Sequence, residues 1–255
     1  VHAKETASKG TQLWQCAPDT QRFEREALTA MHPVVAELLA LLAPPACAAC
    51  GGALVAAAEV LCADCRRALP WLRPPRCPRC ALPAPCAPCP ARRLAFDAAW
   101  APVAHAGSAR TSVHALKVGG KLALAEVMGA QMAAGAPPDL LAVDALVPVP
   151  PARARARRRG FDPADLLARE VGRRTGLPVE RCLRRRGPAP RQVGAGARAR
   201  RHAGRIRVEP VSRAPDHALL IDDVHTTGAT VDACAAALRS SGARRVGVLT
   251  YSRAL

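Results

Sequence analysis

Residues 218–235 read A-L-L-I-D-D-V-H-T-T-G-A-T-V-D-A-C-A. Four apolar residues lead into two adjacent carboxylates, Asp222 and Asp223. A short polar stretch then supplies Thr226, Thr227, Gly228 and Thr230, and an alanine-rich segment opens behind it. The order spells strand, acidic tip, loop, helix. In open α/β sheets ligands settle just outside the carboxyl ends of the strands. A helix N-terminus led by a Gly/Thr loop suits an anion, because its first N–H groups have no partner within the helix. Carboxylates suit sugar hydroxyls or a hydrated cation, whereas amides and hydroxyls suit a phosphate. A sugar phosphate needs both.

Adjacent acids also close the magnesium-holding strand of P-loop nucleoside triphosphatases, but that scheme requires G-x-x-x-x-G-K-[ST] upstream. The Gly-Lys of this chain is Gly120-Lys121; Leu122 follows it, and Ala115 stands where the first glycine belongs. The triphosphatase reading fails. The stretch instead resembles the phosphoribosyl-diphosphate (PRPP) signature of type I phosphoribosyltransferases: four apolar residues, two acids, two variable positions, then T-T-G-x-T. The resemblance makes Asp222, Asp223, Val224, His225, Thr226, Thr227, Gly228, Ala229 and Thr230 the candidate PRPP-binding residues.

The bulk composition bounds what else the chain does. Its 255 residues suffice for one or two domains with a real core. Half are apolar but only 3% are aromatic, so Ala, Val and Leu must fill that core. No apolar run approaches the roughly 20 residues of a membrane span. The stretch after Met31 has no Lys or Arg before its apolar run and contains Glu37, unlike a signal peptide. A cytoplasmic protein is expected. The net charge of +17 comes from arginine, 33 against 4 lysines. Eighteen arginines against four acids fall between Arg153 and Arg207, including Arg157, Arg158 and Arg159. Such a cluster attracts polyanions, either small phosphorylated molecules or single-stranded DNA. Few aromatics argue against a base-stacking platform.

Eight of eleven cysteines form four C-x-x-C pairs: Cys47/Cys50, Cys62/Cys65, Cys77/Cys80 and Cys86/Cys89. In a reducing compartment this spacing reads as metal binding. Two four-thiolate zinc sites account for it, each knuckle presenting two thiolates. Sequential pairing of the knuckles is preferred to an interleaved cross-brace. A complete thiolate set leaves no open position for catalysis, so two structural Zn²⁺ ions are expected.

Along the chain, residues 1–32 read as a disordered tail or start-site extension, with Met31 an alternative start. A short helix over 34–42 and the cysteine module over 33–97 follow, then an α/β domain over 98–255. In that domain the pattern predicts a strand at 100–104 and a helix over 110–134 broken at Gly119-Gly120. A strand over 140–149 and a helix over 165–175 stopped by Gly176 come next. A mobile loop over 184–204, a strand over 217–221, a helix over 229–241 and a strand over 246–250 complete it. Strands alternating with helices imply a mostly parallel sheet flanked by helices.

The sequence from cysteine module through L-K-x-x-G, V-P-V-P, R-G-F and an Arg-rich loop to I-D-D-V-H-T-T-G-A-T resembles the ComF family. These are competence-associated proteins joining a double zinc ribbon to a type I phosphoribosyltransferase-like domain. The resemblance spans about 33–255. It implies that Asp222 and Asp223 hold ribose hydroxyls and that residues 226–230 wrap the 5′-phosphate. It puts Pro150 and Arg153 near the diphosphate, with Lys117 reaching a phosphate, and makes Gln192 and Gly194 part of a flexible loop over the site. Two departures stand out. R-G-F continues as Asp162-Pro163 where the family has Asn-Gln, and the flexible loop carries Ala189, Ala195-Gly196 and Ala203 in place of its usual polar residues.

Two functions follow from the resemblance. The first is Mg²⁺-dependent phosphoribosyl transfer from PRPP, with Asp222 and Asp223 catalytic. The second is a non-catalytic single-stranded-DNA-handling competence factor that uses PRPP as an effector or not at all. Its nucleic-acid candidates are Arg157, Arg158 and Arg159, and its expected partner is a competence helicase-like protein.

Overall fold

The computed structural model describes residues 45–56, 59–186 and 206–255, without the side chains of 153–155. The N-terminal tail, the 34–42 helix, Gln192 and Gly194 lie outside the described residues.

Five parallel strands form one sheet. β1 (Ala98–Trp100) and β2 (Val103–Ala104) lie along β7 (Arg245–Arg253) as two halves of an edge strand. β6 (His217–His225) follows, and β3 (Ala145–Pro148) closes the other side, giving the order β1-β7-β6-β3. β6 and β7 are apolar on both faces along most of their length, as a covered parallel sheet demands.

Alternation sorts the strand residues into two cores. Leu146, Leu219, Ile221, Leu249 and Tyr251 face α2 (Gly107–Lys117), α3 (Leu124–Gly135) and α6 (Pro163–Thr175). Val147, Ala218, Leu220, Val246 and Val248 face α7 (Ala229–Ser240). With so few aromatics, close approach of backbones replaces bulk. A Cβ on Gly129 of α3 would land on that of Glu170 in α6, and one on Gly135 would meet the Trp100 ring at 2.5 Å.

The cysteine module divides between these cores. Its first half, with α1 (Ala63–Arg67), sends Cys47, Leu54, Leu61 and Leu69 into the first core. The second half sends Cys80, Ala81, Ala91 and Phe96 into the other. Residues 70–72 run beside β2, with Leu72 N–H donating to Pro102 (2.9 Å) and Ala104 N–H to Pro70 (2.8 Å). The two ribbons thus straddle the β1/β2 edge and cover it. Ala46–Leu255 is one compact unit.

Three expectations are corrected. Residues 140–149 are not one strand: Pro137 and Pro138 start a single helical turn, α4 (Pro138–Leu141), and the strand is only Ala145–Pro148. Arg184–Arg186 are not loop but belong to β4 (Leu183–Arg186), paired antiparallel with β5 (Arg207–Pro210). Glu209 bridges Arg184 and Arg186 there, at 2.7 and 2.6 Å. Finally, β6 runs on to His225, so the two acids lie within the strand rather than beyond it. Among the described residues no helix is long and apolar enough to cross a membrane.

The α3/α6 crossing gives a direct test. Gly129→Ala should destabilise the chain by about 1–3 kcal/mol through overpacking, read as a lower urea midpoint with an unchanged m-value. A midpoint at the wild-type position would show that the helices can part without cost.

Candidate anion loop and paired four-cysteine centres

The parallel sheet brings the carboxyl ends of β2, β3, β6 and β7 to one side, and each contributes to the site. β6 ends in residues 226–228, which turn into α7 with Gly228 as the cap at φ +85°. Glycine is needed there twice over. The left-handed backbone disfavours a side chain, and a Cβ would stand 3.0 Å from Leu94 and 3.1 Å from His225 Nε2. Among the described residues the amides of Thr226, Thr227, Gly228 and Thr230 donate to no protein acceptor. Thr226 and Thr227 are exposed, whereas Gly228 behind them is buried. Beside the loop, Asp232 accepts from Ala95 N–H at 2.7 Å.

The acids behind the loop are not free. Lys117 at the end of α2 places Nζ 2.8 Å from Oδ1 of Asp223, whose side chain is only 7% exposed. The Asp222 carboxylate curls back to accept from the Asp223 N–H at 2.8 Å. Burial pushes the Asp222 carboxyl well above the usual range and the neighbouring Asp223 charge adds to it, while the Asp223 amide and Lys117 oppose them. Lys117, expected at a phosphate, therefore lies against an acid. Pro150 sits just past β3, which is held to β6 by Val149 N–H donating to Ile221 at 2.9 Å. Arg153 opens α5 (Arg153–Arg159) at the same end, its side chain outside the described set. Arg157 and Arg158 are exposed in the last turn of α5, and Arg159 is half-buried.

Several neighbours of the site were not read from the sequence. His105 follows β2, its Nδ1 2.9 Å from Ser252 Oγ, and burial with the Lys117 and Arg110 charges holds its pKa below the ordinary value. Ser252 Oγ donates to the Asp223 carbonyl at 3.3 Å. His225 is buried edge-on to Phe96, and burial, then the Arg253 charge, pushes it down to about 4. Polar residues closing apolar strands were the available signal. Asp162-Pro163, a departure in sequence, is a helix start in structure: Asp162 accepts from Ala164 N–H at 3.0 Å and Pro163 takes the first helical position of α6.

The eight paired cysteines form two clusters in sequential order, Cys47/Cys50/Cys62/Cys65 and Cys77/Cys80/Cys86/Cys89, with all sulfurs in each cluster within 4.8 Å of one another. Sulfur–sulfur separations of 3.8 Å (Cys50–Cys62), 3.9 Å (Cys77–Cys89) and 3.5 Å (Cys80–Cys86) match the edges of a tetrahedron. A Zn–S bond of about 2.3 Å gives an edge of about 3.8 Å. The knuckles repeat: Cys47 N–H donates to Gly52 and Cys77 N–H to Leu82, each at 2.8 Å. Both clusters fit Zn²⁺.

Residues 38–97 match the double zinc ribbon domain. The chain is 32% identical over 238 residues to the DNA utilization protein YhgH of Escherichia coli K12, covering 84% of this chain and 100% of that protein. It belongs to the ComF family. Competence protein F of Haemophilus influenzae is another relative, 31% identical over 116 residues, 44% of this chain and 51% of that one. Among solved structures, orotate phosphoribosyltransferase from Aeropyrum pernix overlays with a TM-score of 0.31 at 21% identity, covering 51% of this chain and 60% of that chain. Glutamine PRPP amidotransferase from B. subtilis overlays at 0.35 and 20%, covering 49% and 25%. Both overlays are partial. This ComF-family chain thus joins a double zinc ribbon to a parallel sheet flanked by helices.

The aspartate cap yields a pH-dependent prediction. Burial, before any neighbouring charge, raises Asp162 from 3.8 to about 6. The folded chain then holds this proton more tightly than the unfolded one, and stability falls as pH rises through about 4 to 6. Asp162→Asn keeps a capping oxygen and removes the charge. Its advantage over wild type should grow by about 2 kcal/mol between pH 4.5 and 7, in urea titrations with zinc in excess. An advantage constant with pH would refute this account.

Proposed function

We propose that the chain binds PRPP with Mg²⁺ at the 222–230 loop and transfers its phosphoribosyl group to a nucleophilic acceptor. The observation that carries the reading is a glycine turn in which the amides of Thr226, Thr227, Gly228 and Thr230 donate to no acceptor among the described residues, next to two adjacent aspartates. The amides of Thr226, Thr227 and Gly228, with the threonine hydroxyls, take the 5′-phosphate at the start of α7. Asp222 and Asp223 accept from the ribose 2′- and 3′-hydroxyls. As the sugar satisfies Asp223, Lys117 is released to swing toward the diphosphate, where its charge is of most use.

In the transfer the C1–oxygen bond to diphosphate breaks, and the diphosphate leaves with the electron pair. The acceptor's lone pair forms the new bond at C1 from the opposite face. Cationic charge on the ring is eased by the Asp222/Asp223 pair, and the negative charge gathering on the leaving group is met by Lys117. Magnesium, when bound, supplies charge neutralisation at the diphosphate oxygens. The hard oxygens of Asp222 and Asp223 would suit a hydrated ion of this kind.

A second reading is favoured by Arg157 and Arg158, which are exposed at the end of α5 and form no ion pair among the described residues. Two relatives are named a DNA utilization protein and a competence protein; on this second reading the partner is single-stranded DNA, with a helicase-like protein acting beside it. PRPP then serves as an effector or is dispensable.

Calorimetric titration of zinc-loaded protein with PRPP separates the two. Binding should require Mg²⁺ and weaken at least about tenfold in Asp222→Asn/Asp223→Asn, as loss of charge-assisted hydrogen bonds demands. Unchanged affinity in that variant would remove the loop's assignment. For DNA, replacing Arg157, Arg158 and Arg159 by alanine should reduce the slope of log affinity against log salt by about 0.7 per lost phosphate contact. A slope equal to wild type would take the helix out of the interface.

A further inference from the structure

The last strand of the sheet ends in a positive charge with no acid beside it. Arg253 is 5% exposed and closes β7. Its Nε donates to the Cys80 carbonyl at 2.8 Å. Its Nη1 donates to the carbonyls of His225 (2.8 Å), Thr226 (2.5 Å) and Ala254 (2.7 Å). All four acceptors are neutral, and among the described residues no carboxylate forms an ion pair with it. A buried cation with only dipoles around it is costly unless a negative centre stands nearby. Cys80 belongs to the second four-cysteine cluster. Four thiolates around a divalent ion leave that cluster with a net negative charge.

One guanidinium therefore holds two things at once: the knuckle of the second metal centre and the backbone that begins the anion loop. The segment leaving the same centre reinforces the link. Leu94 packs where a Cβ on Gly228 would stand, and Phe96 meets the His225 ring at 5.8 Å between centroids. Among the described residues the first centre has no such connection. Cys47 and its neighbours pack into the opposite core, with α2, α3 and α6.

We propose that Arg253 is a positioning residue that makes the shape of the 226–230 loop conditional on an intact second four-cysteine centre. The mechanical link stands on its own geometry; that the loop holds PRPP rests on the function proposed above. A centre without metal would let the Cys80 knuckle move, release the guanidinium and free the His225 and Thr226 carbonyls.

The test uses the full zinc-loaded chain with three readouts: zinc release to a chromogenic chelator, hydrogen exchange across 222–235, and PRPP titration in Mg²⁺. Arg253→Met should still bind two zinc ions, release one of them about tenfold faster, and exchange about tenfold faster in 222–235 while 163–175 stays as in wild type. Its PRPP affinity should drop at least tenfold. Arg253→Lys, which keeps charge but not the fork, should fall between. Cys86→Ser/Cys89→Ser should loosen 222–235 in the same way, and Cys62→Ser/Cys65→Ser should not. Wild-type exchange in Arg253→Met, or equal loosening by loss of the first centre, overturns the proposal. If Arg253→Met does not fold, the two cysteine pairs decide alone. If wild-type protein binds no PRPP yet exchange follows this pattern, the functional reading falls and the link stands.

Discussion

The polar end of β6 has to hold two carboxylates within a strand whose central residues, Ala218–Ile221, are fully buried. That constraint organises the molecule. A buried carboxylate left alone would be expensive, and each acid is met locally: Asp223 by Lys117 from α2, Asp222 by the amide that follows it. The parallel sheet makes this possible by ending four strands on the same side. His105, Pro150, the 226–228 turn and Arg253 arrive there from distant parts of the chain.

The ribbons answer a second difficulty. An aromatic-poor chain with 24 prolines has few large side chains with which to stabilise a 50-residue irregular segment. Two tetrahedral thiolate clusters supply the missing constraint, and each delivers its apolar residues to a different face of the sheet. The junction between ribbon and sheet is polar and well paired. Asp97 accepts from Val246 N–H at 2.8 Å and from Arg239 at 2.6 Å, and Arg239 donates to the Ala95 carbonyl at 2.7 Å. Cysteine module and sheet are thus bonded along their length rather than tethered.

Much of this was legible beforehand, for local reasons. C-x-x-C spacing fixes which sulfurs share a knuckle, and strong apolar runs mark buried strands. Gly176 and Gly228 stand where the backbone turns left-handed, at φ +75° and +85°. The misreadings were also local in origin. Over 140–149 an unbroken apolar run gave no period to separate a proline-started turn from a strand. Arg184–Arg186 read as loop because their β-pairing depends on Glu209, 23 to 25 residues away. Asp162-Pro163 departs from the family's Asn-Gln, and the structure shows that the pair starts a helix.

The sequence by itself determined the alternation of strands and helices, the two sets of four cysteines, and the acidic strand followed by a Gly/Thr turn into a helix. These are properties of residue type and spacing along a few neighbouring positions. Only the tertiary structure decided that Lys117 pairs with Asp223, that the ribbons divide between two cores, and that Arg253 joins a cysteine knuckle to the loop. Those contacts span from about 30 to more than 170 residues. They exist because a parallel sheet collects strand ends that the chain keeps apart, and burial there leaves each polar group only the partners that the fold brings to it.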